Sequence, residues 1–145
     1  GHWGYSGPYA GDLSVELERL GRIRTWGGNY LLNIGPDPEG RLPAGLEAAW
    51  TELAAWMKTN GEAIHGARGG PEGVANVPTT EKGNVTYLHL FATQTEPVWV
   101  RAQAKVKAAR LLGADGKLQP ESRDGKVHLP AAGKGYRIIR VEWAE

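Results

Sequence analysis

The sequence predicts a chain with an α/β first half and an all-β second half that forms a small antiparallel β-sandwich. Two observations predict this division. Residues 1–70 contain two helix-length amphipathic segments on either side of one short apolar run, an arrangement found in α/β barrels and doubly wound sheets and not in helical bundles. Residues 84–145 contain five strand-length runs separated by turn residues, with no helical pattern between them.

The first half is organised around Tyr30–Ile34, an apolar run with the length and continuous burial pattern of a helix-covered strand. Before this run, Asp12 is a suitable N-cap for a helix that we expect to end near Thr25. After it, Pro43 suits the first turn of a second helix, whose apolar residues recur at helical spacing. The Asn60–Gly61 pair predicts a left-handed stop at the end of that helix.

The second half begins after a segment rich in glycine and proline, so we expect residues 71–83 to be a linker. Turn signals then divide the remaining residues into short apolar runs with an alternating pattern. The predicted strands are Val85–Ala92, Val98–Arg101, Lys105–Leu112, Lys126–Leu129 and Tyr136–Trp143.

The composition is that of a globular protein, with 41% hydrophobic and 23% charged residues among 145. The chain has no cysteine, which excludes a disulfide framework and thiolate chemistry. No apolar run is long enough for a membrane span, and the net charge of +1 is too small to predict nucleic-acid binding. Cytoplasmic, periplasmic and secreted locations all stay open.

Three segments of the first half resemble the family 29 glycoside hydrolases, the α-L-fucosidases. They are His2–Tyr5 (HWGY), Gly27–Gly40 (GGNYLLNIGPDPEG) and Trp56–Gly66 (WMKTNGEAIHG), in the order in which the family carries its matching motifs. A weaker resemblance continues into the second half. It implies that residues 1–70 are the last strand–helix units of a (β/α)8 barrel and that residues 84–145 are the accessory β-sandwich that follows it.

The resemblance implies a retaining hydrolase of terminal α-L-fucosides, acting on fucosylated glycans or aryl fucosides without a cofactor or metal. Such an enzyme uses two carboxylates about 5–5.5 Å apart. The family's aspartate nucleophile and its usual acid/base glutamate lie before the WGY segment, and this sequence contains neither position. We therefore expect a truncated enzyme that works only as an oligomer. The alternative is a non-catalytic remnant with at most weak carbohydrate binding.

The candidate catalytic carboxylates are Asp37 and Glu39, because they follow the predicted strand Tyr30–Ile34 and barrel sites are built from such loops. The alternative is that they only cap a Pro/Gly turn. A catalytic pair could also recruit Asp12 or Glu16.

The candidate substrate-binding residues are His2, Trp3, Tyr5 and Asn33. Aromatic faces can pack against the apolar face of a sugar, and an imidazole can bond a hydroxyl; the alternative for Trp3 and Tyr5 is core packing.

Other side chains are expected to be structural. His65, His89 and His128 lack metal-ligand spacing. Glu62 is expected to bond the backbone at the helix end. A partial barrel leaves a strand edge unpaired and helix faces uncovered, so we expect a homodimer or higher oligomer.

Overall fold

The computed structural model describes residues 3–131 and 133–145, which form three layers: a helix pair, a five-stranded sheet and a three-stranded sheet. A short 3-10 helix, Gly61–Ala63, follows the second α-helix. The bounds are α1 Leu13–Thr25, α2 Leu46–Asn60, β1 Arg68–Gly69, β2 Thr79–Lys82, β3 Val85–Leu90, β4 Val98–Arg101, β5 Val106–Leu111, β6 Glu121–Arg123, β7 Lys126–Leu129 and β8 Arg137–Trp143.

All strand pairs within the two sheets are antiparallel. The larger sheet has the order β1-β2-β3-β8-β5, and the smaller has the order β4-β7-β6. The main apolar core lies between them, and its fully buried side chains include Leu88, Val100, Val127 and Ile139. The β-sandwich predicted from the turn spacing is therefore confirmed.

Strand β3 is buried along its whole length because both of its faces are covered. Leu88 and Leu90 point into the sandwich core. Val85 and Tyr87 belong to a second apolar cluster, which Trp56 of α2 and Tyr136 cover from the side of the helices. The larger sheet is thus a central layer, and the helices pack on it directly.

Helix α1 begins as predicted, because the Asp12 carboxylate accepts a hydrogen bond from the Ser14 backbone at 2.9 Å. It continues through Gly21 to Thr25. A Cβ at Gly21 would lie 2.2 Å from the Tyr136 hydroxyl, so a glycine allows this helix to approach the sheet closely.

The structure corrects two local predictions in the first half. Tyr30–Ile34 does not form a strand. A strand needs a neighbouring strand to which it is hydrogen-bonded, and within the described part of the chain no strand pairs with this run. Gly61 has a right-handed φ of −60°, so the chain tightens into the 3-10 helix instead of stopping. The left-handed residue comes later, at Gly66, with φ 67°.

The second half is close to the prediction, since each of its five expected strands is present with slightly different ends. The short strands β1, β2 and β6 were not expected. Strand β2, Thr79–Lys82, lies within the segment predicted as a linker and pairs with β3. Among the described residues, no helix is long and apolar enough to cross a membrane.

Candidate functional site

The aromatic segment at residues 3–5 lies directly against the end of the run Tyr30–Ile34. The Asn33 amide nitrogen donates a hydrogen bond to the Trp3 carbonyl at 3.1 Å. Two residues further along the chain, a Cβ on Gly35 would lie 2.3 Å from the Gly4 carbonyl carbon. Such a distance is shorter than any real contact of a side chain, so only glycine permits this backbone approach.

The side chains of this run alternate between two environments. Tyr30 and Leu32 are half-buried against the helices. Leu31 is 81% exposed, and Asn33 is exposed on the same side. The exposed side therefore continues the open surface of residues 3–5, where Trp3 is 78% exposed and is not part of a core.

A polar cleft of about 350 Å³ opens between the aromatic segment, the start of α1 and the end of this run. Glu16 and Asn33 provide polar side chains to it, and the backbones of Gly4, Gly7 and Gly35 form much of its wall. Glu16 is not a free carboxylate, because it bonds the Tyr30 hydroxyl and pairs with Arg19 at 2.8 Å. Its role here is to anchor the run to α1.

Asp37 and Glu39 lie on a tight turn and share one cation. The Asp37 carboxylate accepts the backbone N–H groups of Glu39 and Arg41, at 3.0 and 2.8 Å. The Arg41 guanidinium bonds Asp37 at 2.7 Å and Glu39 at 2.9 Å. Hydrogen bonds from the Arg41 side chain and backbone hold the pKa of Asp37 below its usual value, so Asp37 is a stable anion.

Glu62 connects the 3-10 helix to the larger sheet, and its predicted backbone bond is replaced by side-chain contacts. It accepts from the Tyr87 hydroxyl and from Arg110, both at 3.0 Å, and it lies 3.4 Å from Arg140. Burial, followed by the bond to Glu62, raises the pKa of Tyr87 to about 12. Glu62 thus fixes the position of the helices on the sheet.

His89 is completely buried between the sheet and the helices, in a relay of hydrogen bonds. The Thr80 hydroxyl donates to the Ala63 carbonyl at 2.8 Å and lies 2.9 Å from His89 Nε2. The Thr80 hydroxyl has one hydrogen and donates it to Ala63, so it can only accept from His89. The ring proton of His89 is therefore on Nε2. The other nitrogen, Nδ1, then accepts from the Tyr136 hydroxyl at 2.7 Å. No sequence signal identified this relay, whose members are far apart in the chain.

The other residues considered from the sequence are His2, Tyr5, His65 and His128. His2 lies outside the described residues. Tyr5 is 47% exposed beside Gly35. His65 is exposed and His128 is half-exposed. Within residues 3–131 and 133–145, no three His, Cys, Asp or Glu side chains group in a way that could hold a metal ion.

The family model described as alpha-L-fucosidase matches residues 2–62. Among curated relatives, a plasma alpha-L-fucosidase from Rattus norvegicus is 37% identical over 70 residues, which are 43% of this chain and 15% of the relative. A tissue alpha-L-fucosidase from Homo sapiens is 31% identical over 93 residues, which are 59% of this chain and 20% of the relative. The chain thus spans a fifth or less of these relatives.

Solved structures share the fold over almost the whole chain. Alpha-L-fucosidase isoenzyme 1 from Paenibacillus thiaminolyticus superposes with a TM-score of 0.81 at 23% identity, covering 99% of this chain and 38% of its own. A family 29 alpha-L-fucosidase from Bacteroides thetaiotaomicron superposes with a TM-score of 0.78 at 20% identity, and the match covers 97% of this chain and 35% of the Bacteroides chain. At such identities the likeness shows the fold alone.

Proposed function

This chain is a relative of the α-L-fucosidases and matches their C-terminal region, and on that premise we propose that it forms part of a glycoside hydrolase site for terminal α-L-fucosides. The observation that carries the proposal is the packing of residues 3–5 on Gly35. This contact holds the segment that carries the exposed Trp3 and Tyr5 beside Asn33, which lines the polar cleft.

The proposed contribution of these residues is binding and orientation. The indole of Trp3 offers an exposed apolar face to the C–H side of a sugar ring. Asn33 keeps its side-chain oxygen available for a sugar hydroxyl, because its bond to the Trp3 carbonyl uses only its nitrogen. A concave pocket with a few convergent polar groups is typical of small-molecule sites.

We expect Trp3→Ala to weaken binding of an aryl α-L-fucoside by about three- to tenfold, the effect of one aromatic contact. Calorimetric titration of the purified chain measures the dissociation constant. Trp50→Ala is the matched control, because Trp50 is also exposed, at 41%, but lies on α2 and not in the segment of residues 3–5. Equal losses in the two variants, or no fucoside binding by the unmodified chain, would contradict the proposed site.

Hydrolysis by a retaining two-carboxylate mechanism is the second candidate function, with Asp37 and Glu39 as its proposed carboxylates. Their position on the turn that follows Tyr30–Ile34 favours it. If they react with substrate, Asp37→Asn and Glu39→Gln should each reduce kcat/KM for 4-nitrophenyl α-L-fucoside by about 100-fold or more. Arg41→Gln is the control, because it breaks both ion pairs and leaves both carboxylates in place. Similar small losses in all three variants would limit the pair to holding the turn.

We also propose that the chain self-associates through its first half. The large exposed hydrophobic side chains of the described residues all fall within residues 3–50, namely Trp3, Tyr5, Val15, Trp26, Leu31, Leu42 and Trp50. Apolar surface of this kind favours association. Light scattering at micromolar concentration is expected to show a dimer or larger species, and a homogeneous monomer would contradict this expectation.

A further inference from the structure

The outward face of the smaller sheet carries a row of three cations. The register of β4, β7 and β6 places Arg101, Lys126 and Arg123 opposite one another. Residues that are directly opposite on neighbouring strands share a face, with Cβ atoms about 4.5–5.5 Å apart. The alternate positions Val100 and Val127 are buried in the sandwich core, so the three cationic side chains point away from it.

The described residues provide no carboxylate partner within 4.0 Å for this row, although Asp124 follows Arg123 in the hairpin turn and Glu121 begins β6. Lys126 lies over the Trp99 ring at 3.9 Å, and Arg101 donates to the Gly73 carbonyl at 3.1 Å. Like charges opposite one another destabilise a sheet. The row therefore has an electrostatic cost that an anion would remove.

Three cations of the larger sheet have a different arrangement. Lys107 pairs with Glu142 at 2.7 Å, and Arg110 pairs with Glu62 at 3.0 Å. Arg140 pairs with Glu142, also at 2.7 Å. Three neighbouring cations of that sheet thus have carboxylate partners within the protein, whereas the three cations in the row on the smaller sheet have none among the described residues.

A second row on the same face contains groups that suit a sugar. Trp99, His128 and Glu121 are cross-strand neighbours one step along the strands. A cleft of about 390 Å³ lies beside them, and Gln119, Arg123 and His128 line it. Imidazole, amide and carboxylate groups can bond hydroxyls, and an indole edge can contact a sugar ring. Cations and hydroxyl-binding groups thus occur side by side.

We propose that this face, the outward side of β4, β7 and β6, binds a sulfated or carboxylated polysaccharide. Three cations on one short row match a few anionic substituents, whereas nucleic-acid binding is expected from a more extensive basic surface. The chain as a whole has a net charge of only +1. This surface lies in the second half of the chain and does not depend on the proposed fucoside site, so either can fail without the other.

The test compares binding of dextran sulfate, neutral dextran of equal length and duplex DNA to the full chain, measured by calorimetry at physiological salt. We expect Arg123→Gln/Lys126→Gln to weaken dextran sulfate binding about tenfold or more, because two charged contacts are lost. The control Lys58→Gln/Lys117→Gln removes the same charge from exposed sites outside the face, and we expect less than about a twofold change.

Thermal unfolding of both double variants verifies that each is folded. The proposal is overturned if the unmodified chain does not bind dextran sulfate, or if the control loses as much affinity as the test variant. It is also overturned if DNA binds at least as tightly with the same dependence on Arg123 and Lys126, since the face would then recognise phosphates in general. Binding of neutral dextran at equal affinity would remove the role of the cations.

Discussion

Lowering the pH from 7 to 4.5 is expected to reduce the free energy of unfolding by about 2–3 kcal/mol through His89 alone. Burial lowers the pKa of His89 to about 3, from 6.5. The unfolded chain therefore binds a proton at a higher pH than the folded chain does. The stability that depends on a neutral His89 is fully present above pH 6.5 and is lost progressively as the pH falls toward 3.

The relay around His89 explains why the folded protein resists this proton. The neutral ring donates to Thr80 and accepts from Tyr136, so both nitrogens are satisfied without a charge. The side chain is fully buried, and a charged ring would lose its hydration. Tyr136 is held in place by stacking against Trp56 and Phe91, with ring centroids 5.3 and 5.1 Å apart.

Urea titrations at pH 7, 6, 5 and 4.5 measure this effect. Most of the His89 effect is separated from that of Glu142, whose pKa is lowered to about 2 by hydrogen bonds from Lys107 and Arg140. The stability that Glu142 contributes is lost mainly as the pH falls from 4.5 toward 2. His89→Gln is expected to have lower stability at pH 7 and almost no slope over this range. The exposed His65→Gln is the control and should retain the full slope; an unchanged slope in His89→Gln would contradict the assignment.

Gly35→Ala is expected to displace residues 3–5 and to remove fucoside binding, with a loss of stability of about 1–3 kcal/mol. The new methyl group would lie 2.3 and 2.5 Å from the carbonyl carbon and oxygen of Gly4, and 2.6 Å from the Tyr5 nitrogen. These are backbone atoms, which cannot rotate away as the end of a flexible side chain can. The segment would have to move, and the Asn33–Trp3 bond would break with it.

Gly4→Ala provides a matched control on the other side of the same contact. No heavy atom lies within 4 Å of a Cβ built on Gly4, and its φ is not in the left-handed region. We expect this variant to keep both stability and fucoside affinity. Chemical denaturation and calorimetric titration of the two variants measure both quantities. Retained affinity in Gly35→Ala would show that the packing of residues 3–5 does not form the site.

The second half of the chain was predictable because its strands carry their signal locally. Asp124 and Gly125 both have positive φ, 51° and 70°, as the Asp-Gly turn between β6 and β7 requires. The flanking run Lys126–Leu129 alternates half-buried and buried residues along β7. Strand β6, Glu121–Arg123, was missed because all three of its residues are exposed and lack an apolar pattern.

The first half was less predictable because its structure depends on distant partners. Tyr30–Ile34 has the composition of a strand, but a strand also requires a hydrogen-bonded neighbour, which composition does not predict. The partial barrel thus stays a prediction. Gly21 is an unfavourable residue inside a helix, and only the fold shows the Tyr136 hydroxyl that occupies the space of its missing side chain. The site was predicted as a set of residues, but the Arg41 bridge between Asp37 and Glu39 is a property of the turn geometry.

The central position of β8 has a consequence for folding kinetics. This strand, Arg137–Trp143, lies between β3 and β5 in the larger sheet. Strand β3 pairs with the nearby β2 on one side, but on its other side it has to wait for β8, far along the chain, and closing so long a loop is slow. During synthesis, β3 emerges seconds before β8, at about 5–20 residues per second. In that interval β8 and β5 do not yet cover β3, and uncovered apolar surface favours aggregation of the nascent chain.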